Sequence, residues 1–77
     1  MKIKIIKPDK IAFESDAEIV QFPGVDGSFG VLNSHAPMIA ALGKGKIRVV
    51  ENDVEKFFEI DGGVVEIKNN EILVLAE

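Results

Sequence analysis

Apolar residues recur at every second position along much of this chain, and that period restricts it to strands with one buried face. Ile3 and Ile5 alternate with Lys2 and Lys4, and Ile11 and Phe13 alternate with Lys10, Ala12 and Glu14. Ile47 and Val49 alternate with Lys46 and Arg48, while Val54, Phe58 and Ile60 share a face opposite Glu55 and Glu59. Val65 and Ile67 alternate with Val64, Glu66 and Lys68. The last run, Ile72 to Ala76, is apolar on both faces, which predicts a central or covered strand. Turn residues separate these segments: Pro8-Asp9, Asn52-Asp53, Gly62-Gly63 and Asn69-Asn70. Short strands every 8 to 12 residues or so predict an all-β fold, an antiparallel sandwich or barrel. One segment resists this reading. Ser34 is placed to cap a helix over Pro37 to Leu42, with proline in its first turn and Gly43 past its end, so the residues alone leave helix and strand open there.

A length of 77 residues predicts one domain over residues 1–77. The net charge of −4 lacks the clustered positive field that phosphate backbones require, which argues against nucleic acid. Without cysteine there is neither a disulfide framework nor a thiolate zinc site. The longest apolar runs fall far short of the roughly 20 residues of a spanning helix, and lysines at 2, 4, 7 and 10 break up any leader-like core.

The conformationally unusual residues gather in one place. Phe22 to Pro37 holds three of the seven glycines, two of the three prolines and the one histidine. Catalysis or metal binding by His35 would need company, either several His or Cys ligands or an activated Ser15, Ser28 or Ser34, and the spacing supplies none. The plainer expectation is a loop histidine whose ring bonds backbone carbonyls and bridges two turns. Gly24, Gly27 and Gly30 fit neither G-x-G-x-x-G nor G-x-x-x-x-G-K-[ST], which rejects a nucleotide cradle; consecutive turns with positive φ are expected instead. Acidic residues such as Asp26, Glu51, Asp53, Glu55 and Glu59 read as a solvated face rather than a calcium or glycosidase site. Phe22, Val25, Phe29, Val31 and Leu32 exceed what a tight loop can bury, so some must face the core and others form an exposed patch suited to a partner.

The order of motifs resembles a known family. Phe22-Pro23-Gly24, Gly27-x-x-Gly30-Val31-Leu32 and His35-Ala36-Pro37-Met38-Ile39 are similar to the epsilon subunit of F-type ATP synthase. The match continues through Gly45-x-Ile47-Arg48-Val49, Phe58-x-Ile60-x-Gly62-Gly63 and Asn70-x-Ile72-x-Val74-Leu75-Ala76, nearly the whole chain. The resemblance implies a sandwich of two five-stranded sheets and makes Pro37 to Leu42 largely extended.

It also implies a function: a non-catalytic rotor subunit of the central stalk that links the gamma subunit to the c-ring and couples proton flow to ATP synthesis. By that analogy Val25, Asp26, Gly27, Ser28 and Phe29 rest on the c-ring loops, and His35, Met38 and Ala40 face gamma. The family often places a carboxylate where Ser28 stands here, so Asp26 or neutral packing takes over that contact. Neither cofactor nor metal is expected, and the implied location is peripheral, on the cytoplasmic face of the bacterial inner membrane. Family members commonly continue into a C-terminal helical hairpin with inhibitory and, in some, ATP-binding roles; neither role is assigned to residues 1–77. The other function class is a free-standing β-sandwich binding a ligand through the same loops, against which the lack of Trp and Tyr counts.

Overall fold

Asparagine turns set the hairpins. In the computed structural model, which describes all of residues 1–77, Asn52 and Asp53 have φ of 51° and 63°, and Asn69 and Asn70 have 53° and 58°. Left-handed backbone at both turn positions is the type I′ pattern, whose twist matches that of the flanking strands. These turns join β6 (Gly45–Glu51) to β7 (Val54–Ile60) and β8 (Gly63–Lys68) to β9 (Glu71–Ala76). Before them come β1 (Lys2–Lys7), β2 (Lys10–Asp16), β3 (Ile19–Phe22), β4 (Phe29–Leu32) and β5 (Met38–Leu42). The ambiguous segment is therefore a strand, paired with β8 along its length from Met38↔Ile67 to Leu42↔Gly63. Ser34, at φ 64°, sits in a turn after β4 instead of capping a helix.

The strands form two sheets, β2-β1-β9-β8-β5 and β4-β3-β6-β7. This is the expected all-β sandwich with two differences. The second sheet has four strands where five are implied, because the one further pairing, an isolated bridge between Gly24 and Leu42, adds to the edge of the five-stranded sheet. One pair is also parallel: β1 lies beside β9 from Lys2↔Glu71 to Ile6↔Leu75. A parallel pair needs a long connection, and here the whole intervening chain supplies it.

Between the sheets lies one cluster of 15 buried apolar residues, including Ile3, Ile5, Val65, Ile67 and Val74 from one sheet and Val20, Phe22, Val31, Ile47 and Val49 from the other. These are the inward positions of the period-two pattern, each contributing roughly 1.5–3 kcal/mol when fully buried. Central β9 follows from its two apolar faces, although only one of them is covered: Ile72, Val74 and Ala76 are buried while Leu75 stays exposed. On β7, Ile60 is buried and Phe58 half-buried, whereas Val54 at the hairpin end is exposed.

The flanks of the sandwich differ in chemistry. On one flank β2 meets β7, where the Phe13 and Phe58 ring centroids lie 4.5 Å apart and Lys56 Nζ sits 5.4 Å above the Phe13 ring. Both of these edge strands carry charge, Lys10, Glu14 and Asp16 on β2 and Glu55, Lys56 and Glu59 on β7. On the other flank the chain leaving β3 crosses between sheets to reach β5, and the edge strands β4 (FGVL) and β5 (MIAAL) hold no charged residue.

Candidate functional site

Beyond Phe22 the chain runs into a strap. Val25 N–H donates to the Ala41 carbonyl at 3.1 Å, and Gly43 N–H donates to the Pro23 carbonyl at 2.7 Å, stitching Pro23–Val25 to the C-terminal end of β5. A turn follows at once, closed by Gly27 N–H to the Gly24 carbonyl at 3.1 Å. Gly24 is required by close approach, since a Cβ there would stand 2.6 Å from the Gly27 oxygen and 3.0 Å from the Phe29 ring. Of the three evenly spaced glycines only Gly27 has positive φ, at 120°; the expectation of positive φ throughout fails because Gly30 pairs with Gln21 inside β4.

This architecture sorts the five apolar side chains. Phe22 and Val31 enter the core and Phe29 packs on Phe22 with centroids 5.4 Å apart, whereas Val25 at the turn tip is 62% exposed and Leu32 is 59% exposed. Asp26, Gly27 and Ser28 are exposed beside Val25. The tip thus presents one apolar side chain, one carboxylate and one hydroxyl on a backbone fixed by hydrogen bonds.

His35 and Met38 lie toward the other end of the same flank, because β5 runs back from Met38 to the strap at Leu42, and Ala40 lies between them and the strap, beside Ala41. Met38 and Ala40 are half-buried against the core, and between them Ile39 points outward with 71% of its surface exposed. The His35 ring departs from the expected bridge between turns. Its Nδ1 lies 2.7 Å from the carbonyl oxygen of Ala36, its chain neighbour. The bridging is done by asparagines instead: Asn70 Oδ1 accepts from Ser34 N–H at 2.9 Å, and Asn33 Oδ1 accepts from the Met1 ammonium at 2.9 Å.

Ser15 Oγ donates to the Asp16 carbonyl, remote from His35, and no three His, Asp or Glu side chains converge to hold a metal ion. The larger groove, on the outer face of the five-stranded sheet, mixes Lys2, Lys4 and Lys68 with Glu14, Asp16, Glu66 and Glu71 and includes none of the loop residues. No helix is long and apolar enough to cross a membrane. Sequence reasoning overlooked the strap and Ile39. The signal for Ile39 was the lack of any Asp, Glu, Lys or Arg between Val31 and Leu42; the strap, held backbone to backbone, left none.

The fold is that of a small β-sandwich domain with one flank whose edge strands, β4 and β5, hold no charged residue. The chain belongs to the family described as ATP synthase, Delta/Epsilon chain, beta-sandwich domain, which it matches over residues 1–77. It is 36% identical to the ATP synthase epsilon chain of Leptospira interrogans, covering 100% of this chain and 61% of that protein. It is 44% identical to the ATP synthase epsilon chain of Rickettsia typhi, covering 100% of this chain and 73% of that one. Its fold is similar to a chain in the central stalk and c-ring structure of Tetrahymena thermophila mitochondrial ATP synthase, with a TM-score of 0.82 at 16% identity over 97% of this chain and 61% of that chain. The chain thus spans less than two thirds of the length of some relatives it matches.

Proposed function

We propose that this chain is the sandwich part of a non-catalytic central-stalk subunit of a proton-translocating F-type ATP synthase, joining the gamma subunit to the c-ring. The observation that carries the reading is the family match across residues 1–77, on a chain whose proposed contact residues all lie along the β4/β5 flank, with Asp26 their one carboxylate. Val25, Asp26, Gly27, Ser28 and Phe29 rest on the polar loops of the c-ring, and His35, Met38 and Ala40 face gamma. The two sets run along one flank, from the turn tip through Ala40 to Met38 and His35, which suits a part held between two partners.

A rotor adaptor must transmit torque without bending. Two sheets locked through a close-packed core are stiff where a helix or loop would wind up. With Ser28 at the tip in place of a carboxylate, Asp26 supplies the one negative charge available to basic ring residues. The subunit sits peripherally on the cytoplasmic face of the bacterial inner membrane and carries out no chemistry itself. Co-purification of the intact chain with gamma and the c-ring of the same organism tests this. A folded chain that binds neither partner overturns it.

A further inference from the structure

We infer that β5 accepts an added strand: its open edge pairs, backbone to backbone, with a short extended segment of the gamma subunit, an inference that rests on the function proposed above. The strap reveals which way the β5 backbone points. Because Val25 donates to the Ala41 carbonyl and Gly43 donates to Pro23, the odd-numbered residues of β5 direct their N–H and C=O groups away from β8. Ile39 N–H, Ile39 C=O and Ala41 N–H therefore project from the sheet edge with no strand beside them, since β5 is the outermost strand of its sheet. The Pro37 carbonyl points the same way, because the Met38 N–H of that planar peptide is directed at β8.

Exposed edges invite pairing unless they are blocked by charge, bulge or cover. The β2 edge has charged residues and a register shift opposite Ile5 and Ile6, and β7 has charges along its length. The β5 edge has neither between Met38 and Ala41, and its side chains there, Met38, Ile39, Ala40 and Ala41, are all apolar. This is the arrangement of strand addition, where main-chain hydrogen bonds supply affinity and alternate side chains supply selectivity.

The strap also selects the occupant. In an antiparallel pairing of two β5 strands centred on Ile39, residue 41 of each copy falls opposite residue 37 of the other, where the strap already runs beside Ala41 to Gly43. A second copy in that register therefore collides. A partner segment that pairs with Pro37 to Ile39 and ends before the strap does not. Its side chains lie beside Ile39 on the outer face and beside Met38 and Ala40 on the core side, so it must be uncharged.

The test measures binding of the full chain to gamma of the same organism, together with amide hydrogen exchange. The Ile39 amide should exchange about 100-fold more slowly in the complex than in the free chain. Ile39→Pro removes an outward N–H without breaking a bond to β8 and should weaken binding about tenfold or more, while Ile39→Val stays within about threefold. If gamma binds but the Ile39 amide keeps its free rate and Ile39→Pro binds normally, strand addition is wrong and the proposed function stands. If the wild-type chain does not bind gamma, the function itself fails and takes the inference with it. Self-association in sedimentation velocity that Ile39→Pro abolishes would make a second copy the occupant and overturn the assignment. Should Ile39→Pro fail to fold, wild-type exchange decides alone.

Discussion

Each flank of the sandwich is pinned by one phenylalanine pair, Phe13–Phe58 at 4.5 Å and Phe22–Phe29 at 5.4 Å, yet the flanks face water differently. On the β2/β7 flank, charges of both signs stand along the edge strands and Lys56 covers the Phe13 ring. On the β4/β5 flank Phe29 to Leu42 holds no Asp, Glu, Lys or Arg, Asp26 stands at the turn tip, and Val25, Leu32 and Ile39 are left exposed. A small domain normally blunts its edges, and the two flanks differ in charge, the device that keeps an exposed edge from pairing.

That contrast yields graded predictions. Phe22→Ala, which removes a ring that is 1% exposed and undermines both the strap and Phe29, should lower unfolding free energy by about 3–5 kcal/mol in urea titration. Phe13→Ala on the charged flank, where the ring is half-buried, should lower it by about 1–3 kcal/mol; an equal loss at both sites would mean that the strap adds no rigidity. Val25→Asp leaves folding unchanged but should weaken c-ring binding by about 1–3 kcal/mol, read by titration against the purified ring. Smallest is Arg48→Ala. Its pair with Glu55 at 2.6 Å is partly exposed, so the expected loss is about 0–1 kcal/mol of stability with no change in partner binding.

The same contrast decided how much of the molecule could be read from its residues. β1, β2, β6, β7 and β8 announce themselves because one face meets water and the other the core, giving the period of two, and β9 does so as an apolar run after the Asn69-Asn70 turn. β3, β4 and β5 do not. They are four or five residues long, and β4 and β5 stay apolar on their outward positions, Leu32, Ile39 and Ala41, so alternation vanishes there. The residues alone leave Pro37 to Leu42 open between helix and strand, because Ser34, Pro37 and Gly43 also fit a capped helix, and the motif resemblance, not the periodicity, makes it extended. The glycine-rich turn was visible as a turn, but its anchorage to β5 was not, because the Val25–Ala41 and Pro23–Gly43 hydrogen bonds join backbone to backbone and leave no trace in side-chain pattern.

The claim at the centre of this account is that the uncharged flank is the one occupied in the assembled rotor. The chain has no cysteine, so single variants report individual positions without background. Thiol labelling of Ser28→Cys and Ile39→Cys on one flank, and of Glu14→Cys and Glu59→Cys on the other, should be compared in the free chain and in the assembled complex. Assembly should protect Ser28→Cys and Ile39→Cys from the reagent and leave Glu14→Cys and Glu59→Cys labelled at their free rates. Protection of the Glu14 and Glu59 positions with full labelling at Ser28 and Ile39 would contradict it.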